Sequence, residues 1–363
     1  MNRPTLVIVS DLHLGGGPPA EAWGRGFSDE FTDDRAFSDF LRWLSERPGC
    51  RLVFLGDAFD FLRVPVIGGR IGLFARTDTE AVAQLDRIAA AHPTVVKALS
   101  AALAAGVQVD FVSGNHDAEL IRPAVRERVC RLFGAQVRFH SWILYIPGLL
   151  YAEHGHHHHD INTFVRPLYP YAEKGGGNLE RPPAAFLGDL WRFPASPAHM
   201  WRDAMTGLHG RPPIRSRADY LAGRIPAHSK EIGLPESVVA ELHYLTSFSP
   251  FAVGRRIVST RLRRGGHPGY MPTAAAAVRD LLTRNQIAVP FYAFGHTHTA
   301  MRSALGTDAW YLNSGTWSTA AWGRGQARRT WIEINAGAAP AANARLFRWT
   351  GTAQPITEDR VSV

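Results

Sequence analysis

Lysine is nearly absent from this chain. It occurs only at Lys97, Lys174 and Lys230, so 37 of the 40 basic side chains are arginine. A bias that uniform also follows from a GC-rich genome, so no single arginine is read as a phosphate ligand on its identity alone. Cysteine is scarce too: Cys50 and Cys130 exclude a disulfide framework and fit free thiols in a reducing compartment. No run reaches the roughly 18 apolar residues needed to span a bilayer. The longest candidate, residues 142–152, reads instead as a buried strand pair split at Pro147-Gly148. The first strand-like run begins at about Thr5 and leaves no room for a cleavable leader. A soluble cytoplasmic protein is therefore expected, with peripheral contact to a membrane surface left open. No internal repeat is found.

What the chain does have is a core. Of its 363 residues 45% are hydrophobic and 20% charged, which argues against extended disorder and suits one large domain with an insertion, or two domains. The net charge of +8 favours anionic partners.

The organising stretch is 51–61, RLVFLGDAFDF. Leu52-Val53-Phe54-Leu55 reads as a central strand of an open α/β sheet, broken by Gly56 and followed by Asp57 and Asp60. Ligands in such sheets sit at the carboxyl ends of the strands, which directs Asp57 into a site. A lone Gly-Asp is ordinarily a turn with a solvated carboxylate. Four other apolar segments end the same way. Leu6-Val7-Ile8-Val9 runs into Ser10-Asp11-Leu12-His13, and residues 107–112 run into Gly114-Asn115-His116-Asp117. Residues 142–152 lead to Glu153-His154-Gly155-His156, and Phe291-Tyr292-Ala293-Phe294 to Gly295-His296-Thr297-His298. Five such ends in one chain read as an assembled metal site.

Carboxylate oxygen and imidazole nitrogen without thiolate suit Mn, Fe, Co, Ni or Zn. Two ions a few ångströms apart need a shared ligand, and the central Asp57 is the natural bridge. Asp11, His13, Asn115, His154, His296 and His298 then divide into two terminal sets. Such a pair clamps a phosphoryl group and lowers the pKa of a bound water to about neutral, giving an in-line nucleophile.

The ordered series D-x-H, GD-x-x-D, GNHD, HGH and GHTH resembles the calcineurin-like metallophosphoesterase family, over roughly the first 160 residues and again from about 285 to 320. The resemblance implies an α/β fold, a four-layer αββα sandwich of two mixed sheets. It implies one metal, most simply Mn, on Asp11, His13, Asp57 and His298, and a second on Asp57, Asn115, His154 and His296. It also implies that His116 is a non-ligand histidine facing the leaving group, oriented by Asp60. The YLNSGTW stretch at 311–317 resembles the family's strand and turn after the last motif. Among the family's branches, the UDP-diacylglucosamine pyrophosphohydrolases resemble the chain in strand order, in GHTH and in a helical insertion that covers an acyl chain. They carry Arg where His116 stands and Asp where His156 stands.

Helical spacing of Phe37, Phe40, Leu41 and Leu44 predicts a helix within 31–47. Residues 79–105 read as two helices broken at His92-Pro93, 123–132 as a short helix, and 15–26 as a Gly/Pro-rich loop beside the first ligand pair. His156 to His159 stand at a strand-to-loop junction and are not a tag scar. They read as solvent-facing side chains or as supports behind the ligands, with His156 a candidate substrate contact. Asp160 and Asn162 read as loop caps or as orienters of the ligand histidines.

The division expected is a core at 1–160 and 271–335, a mainly helical insertion at 161–270, and a C-terminal segment at 336–363 with an edge strand near Trp349 and a frayed end after about Ile356. Residues 160–270 hold 15 Lys/Arg against 9 Asp/Glu, and the insertion closes on an arginine run, with Arg255 and Arg256 as candidate substrate contacts. Its arginines and tryptophans, entered from His154 and left toward His296, read as a lid over an anionic substrate with an apolar part, or as a solvated appendage. The leading function is hydrolysis of a phosphoester or pyrophosphate bond in a small or lipid-linked substrate. A nuclease, favoured by the basic charge, and a non-catalytic metal-binding scaffold are the alternatives. The oligomeric state has no sequence signal.

Overall fold

The computed structural model describes residues 5–17, 29–47, 49–64, 74–134, 137–159, 162–164, 179, 181–182, 184–185, 217–246, 270–319, 328–335 and 344–356. Arg255, Arg256 and Asp160, and the expected fraying after Ile356, lie outside the described residues.

The first half alternates strands and helices: β1 (Thr5–Val9), α1 (Asp34–Ser45), β2 (Cys50–Leu55), α2 (Asp78–Ala91), α3 (Pro93–Ala104), β3 (Gln108–Val112), α4 (Pro123–Phe133) and β4 (Arg138–His140). A hairpin follows, β5 (Ile143–Ile146) and β6 (Leu150–Glu153), turning at Pro147-Gly148 as expected. Then come α5 (Arg217–Ile232), α6 (Glu236–Thr246), α7 (Tyr270–Arg284), β7 (Phe291–Phe294), β8 (Met301–Leu305), β9 (Ala309–Asn313), β10 (Thr330–Ile334), β11 (Ala344–Trp349) and β12 (Ala353–Ile356).

Two mixed sheets result. Seven strands run in the order β12-β11-β10-β1-β2-β3-β4, with β1 to β4 parallel and the rest antiparallel. Five run β5-β6-β7-β9-β8, parallel across β6-β7-β9. Side chains alternate faces along a strand, and the core divides accordingly. Leu6, Ile8, Val53, Leu55 and Val112 of the large sheet pack against Leu150, Ala152, Phe291, Ala293 and Leu312 of the small one. Val7, Val9, Leu52, Phe54 and Phe111 turn the other way, onto α1 to α4. Tyr151, Tyr292, Phe294 and Tyr311 face α6 and α7. The four layers are thus helix, sheet, sheet, helix.

One detail differs from expectation. The strand at Trp349 is not an edge, because β12 pairs outside it. β12 carries Pro355, which an outermost strand tolerates because one side of its ladder is unpaired. Val238, Val239 and Leu242 of α6 are buried beside Met271, Ala275 and Val278 of α7. Residues 232–242 are therefore part of the helix layer over the small sheet. No helix among the described residues is long and apolar enough to cross a membrane.

The break at His92-Pro93 has a tertiary use. Both His92 ring nitrogens donate, Nδ1 to Asp34 and Nε2 to Asp29, each at 2.8 Å. Asp29 also accepts from the backbone of Gly15, Gly17 and Phe31, so this imidazolium anchors the loop that follows His13. Burial opposes the charge, yet the two carboxylates raise His92 to about 9. The folded value stands above the unfolded value of about 6.5, so the stabilisation is complete below about pH 6.5 and is lost as pH rises through about 9. Denaturant midpoints should therefore fall between about pH 6.5 and 9.5 in the wild type. His92→Gln should be clearly less stable at about pH 6 and nearly equal to wild type by about pH 10.

Candidate metal centre

All seven candidate ligands lie just beyond strand ends: Asp11 and His13 after β1, Asp57 after β2, Asn115 after β3, His154 after β6, and His296 and His298 after β7. Because β1, β2 and β3 are parallel neighbours, and β6 and β7 likewise, the loops of both sheets open at one end of the sandwich.

The side chains converge. Asp11, His13 and His298 form one cluster with ligand atoms within 4.8 Å of one another, and Asp57, His154 and His296 another. His298 Nε2 is 3.2 Å from Asp11 Oδ1 and 3.2 Å from His13 Nε2. Asp57 Oδ2 stands between the two groups, 3.0 Å from His154 Nε2 and 3.8 Å from His13 Nε2. Asp11 Oδ1 also reaches both, at 3.9 Å from His154 Nε2 and from His13 Nε2. Asn115 sits between Gly114 and His116, and the His116 backbone N–H donates to Asp57 Oδ1 at 2.8 Å.

Three buried atoms here make no hydrogen bond within the protein, Asp11 Oδ1, Asn115 Oδ1 and His154 Nε2, although His298 and Asp57 stand at ion-pair distance from the first and the last. Leaving such atoms without a hydrogen bond is costly in a folded interior, and all three are the donor types a divalent cation takes. The donor set therefore fits a pair of such ions. The neighbours are arranged to present those atoms. His154 Nδ1 donates to the Leu55 carbonyl at 2.9 Å and His13 Nδ1 to Asp60 Oδ2 at 3.3 Å, which directs both Nε2 atoms inward.

The backbone carries strain at the same place. Among the described residues, seven non-glycine residues have positive φ, and five of them are Asp11, His13, Asp57, His296 and His298. Left-handed backbone is unfavourable for such side chains and persists only where the surroundings enforce it. At Asp11 the enforcement is visible: its carbonyl accepts from Thr316 Oγ1 at 2.8 Å and from the backbone of Trp317 and Ser318. Its Oδ2 accepts from the His296 backbone at 3.0 Å, tying the two sheets together.

Electrostatics follow from burial and proximity. Burial opposes ionisation of Asp11, but His298 and His154 hold it at about 2. Burial also opposes a charged His154, and Asp57 and Asp11 nonetheless push it up to about 10. A cation entering here displaces that proton. His116 lies at the rim, its side chain 22% exposed, with Nδ1 donating to Asp60 Oδ1 at 2.9 Å. Burial pulls its imidazole down, and Asp60 with Asp57 raise it above the ordinary value. Asp60 thus grips His13 and His116 together, with the two rings edge to face at 4.6 Å.

Several residues in this machinery were not singled out from sequence. Asp117 accepts from the backbone of Gly114, Ala58 and Phe59, clasping the β2 and β3 loops together. Arg63 pairs with both Glu30 and Asp60, so the acidic group His13, Glu30 and Asp60 is already occupied by a guanidinium. The last Asp of GNHD and the D-x-x-R spacing were the available signals. His156 and His157 are buried against Trp142 and Phe164, which removes the solvent-facing reading for both and leaves that of supports behind the candidate ligands. The His156 ring stands 5.5 Å from that of His154.

No family model matches the chain, and no curated protein matches it. Among solved structures it is similar to a protein of Thermus thermophilus, at 11% identity and TM-score 0.34 over 99% of this chain and 100% of that one. It is also similar to a dimetal phosphatase from Danio rerio, at 12% identity and TM-score 0.33 over 96% and 100%. A third is the phosphopantetheinyl hydrolase from Mycobacterium tuberculosis, at 14% identity and TM-score 0.29 over 87% and 90%.

Gly114 offers a test of the packing around Asp57. A Cβ built there would stand 2.6 Å from the Asp57 backbone nitrogen, nearer than real Cβ atoms come. Gly114→Ala should cost about 1–3 kcal/mol, the usual scale of overpacking, and should lower metal content. Urea unfolding and metal analysis on one preparation check both.

Proposed function

We propose that the chain is a dimetal-dependent phosphohydrolase that cleaves a phosphoester or pyrophosphate bond in an anionic substrate, small or lipid-linked. The observation that carries this reading is the trio of buried candidate-ligand atoms that make no hydrogen bond, Asp11 Oδ1, Asn115 Oδ1 and His154 Nε2, beyond strand ends of both sheets. Asp11, His13, Asp57 and His298 would hold one ion, and Asp57, Asn115, His154 and His296 the other. Mn is the first ion to try, with Fe, Zn, Co and Ni compatible with the same donors. A divalent pair supplies charge to bind and polarise a phosphoryl group and to acidify water.

The protein's own part is positional. Asp57, pinned by the His116 N–H, fixes the spacing of the two sets. His116, held by Asp60 and open to the rim, is placed to give a proton to the leaving oxygen. The net charge of +8 supports an anionic substrate. The UDP-diacylglucosamine pyrophosphohydrolase-like form of this reading adds an acyl-chain cover at 161–270. The imidazole of His116, where that branch carries Arg, favours a leaving group that takes a proton.

The reading is tested by a hydrolysis panel with added Mn: p-nitrophenyl phosphate, bis-p-nitrophenyl phosphate, UDP-sugars, cyclic dinucleotides and single-stranded DNA. Turnover of phosphoesters or pyrophosphates that chelation abolishes is the expected result. Cleavage of DNA alone would turn the assignment to a nuclease, and no turnover of any substrate by the metal-loaded chain to a non-catalytic scaffold.

Asp57→Asn removes the charge shared between two cations. It should lose both metals or nearly all activity, and two equivalents retained by ICP mass spectrometry with normal turnover would sink the bridge. His116→Ala should keep its metals and lose about 10²–10⁴-fold in rate, the scale of general acid catalysis. The loss should shrink for p-nitrophenolate, which needs little protonation. Equal losses for good and poor leaving groups would make His116 a positioning residue.

A further inference from the structure

The run of four histidines after His154 has no part in the ligand set, and the structure gives its members different surroundings. His156 and His157 turn inward onto Trp142 and Phe164. His158 Nε2 meets the buried Glu153 carboxylate at 2.8 Å. His159 goes elsewhere. Its Nδ1 lies 3.1 Å from His296 Nε2, and the Asn162 side-chain amide lies 2.7 Å from His159 Nδ1 and 3.1 Å from His296 Nε2. The turn is closed locally, since the Asn162 and Thr163 backbone N–H groups both donate to the His159 carbonyl.

Three polar groups meeting at such distances must share protons consistently. Two ring nitrogens cannot satisfy each other if both are protonated or both bare. An amide carbonyl between them can accept from both, and the two ends of an Asn amide are interchangeable by a half-turn. With Oδ1 turned in, His296 Nε2–H and His159 Nδ1–H both donate to Asn162. That proton at Nε2 leaves the lone pair of His296 on Nδ1, the other side of the ring.

We propose that Asn162 and His159 are positioning residues for His296: Asn162 fixes its tautomer and ring orientation, and His159 holds Asn162 in place. The inference rests on the dimetal reading above and concerns one of the two ions, the one that His296 would hold. Outer hydrogen-bond partners of this kind typically change metal affinity about 10–100-fold. It also gives the last member of the histidine run a reason to be there. Sequence places it close behind one ligand, His154, and the fold carries it across to a ligand of the neighbouring strand loop.

The test is Mn(II) binding to the full-length protein, by stoichiometry at saturation and by competition with a chelator. Asn162→Leu, which fills the space without an acceptor, should keep two equivalents at saturating Mn(II) while one of them binds about 10–100-fold more weakly. Asn162→Asp, which retains an oxygen acceptor, should recover most of that loss. His159→Ala should weaken the same equivalent by less, and combining it with Asn162→Leu should add little. His159→Ala also carries the test if circular dichroism shows Asn162→Leu to be unfolded. Unchanged affinity for both equivalents in the folded variants overturns this inference alone. A fall to one equivalent in His159→Ala overturns it too, since His159 would then be a ligand. A wild-type chain that takes up no Mn(II) overturns the dimetal reading and this inference with it.

Discussion

The structure depends on the burial of two carboxylates, Asp11 and Asp57, in one small volume between two sheets. Both are almost fully shielded from water, and their charges repel. Like charges this close persist only where counter-charge and hydrogen bonds hold them. Here His154 and His298 supply the first, and the backbone N–H groups of His116 and His296 the second. These partners are spread over the loops after β3, β6 and β7. The carboxylates therefore knit five loops into one unit, and a bound cation pair would complete the neutralisation.

Strain is the cost of that convergence. Five candidate ligand residues sit in left-handed backbone, and glycines stand where a side chain would intrude. Gly56 combines positive φ with a built Cβ 2.6 Å from that of His154. Such local penalties of about 1–3 kcal/mol each need a rigid surround. The two sheets provide it, through a dry interface in which Leu6, Ile8, Val53 and Leu55 meet Ala152, Phe291 and Ala293. The hydrogen bonds that Thr316, Trp317 and Ser318 send to the Asp11 carbonyl show the same economy. A loop without a candidate ligand of its own enforces the conformation of one that has two.

Asp60 joins this scaffold to reactivity. One oxygen takes the proton of His13 and the other that of His116, while Arg63 balances the charge from behind. A candidate ligand and a candidate proton donor thereby share a single support. Whatever moves one moves the other, so geometry at the rim depends on order in the buried cluster. The link from Asp29 through His92 to the start of α1 extends that order to the loop beyond His13.

Much of this was legible in the residues themselves. Short apolar runs and their Gly-Asp, Gly-Asn-His and Gly-His ends marked five strands and the candidate ligands beyond them, because five such ends in one chain are more than separate turns account for. Helix spacing located α1, the Ala-rich stretch at 79–105 gave α2 and α3, and Pro93 and Pro147 marked breaks by removing a donor. What sequence could not decide was partnership across distance. Nothing local says that Val238 packs beside Met271, that β12 lies outside β11, or that His159 leaves its neighbours and meets His296. Nor do residue types reveal that Asp117 clasps two loops, that Arg63 fills an acidic cluster, or that His156 and His157 are buried. Burial and hydrogen bonding are properties of the assembled surface, since water competes for every polar group until tertiary contacts exclude it. The sequence determined which side chains stand at the ends of which strands. Only the packing of two sheets determined which of them meet.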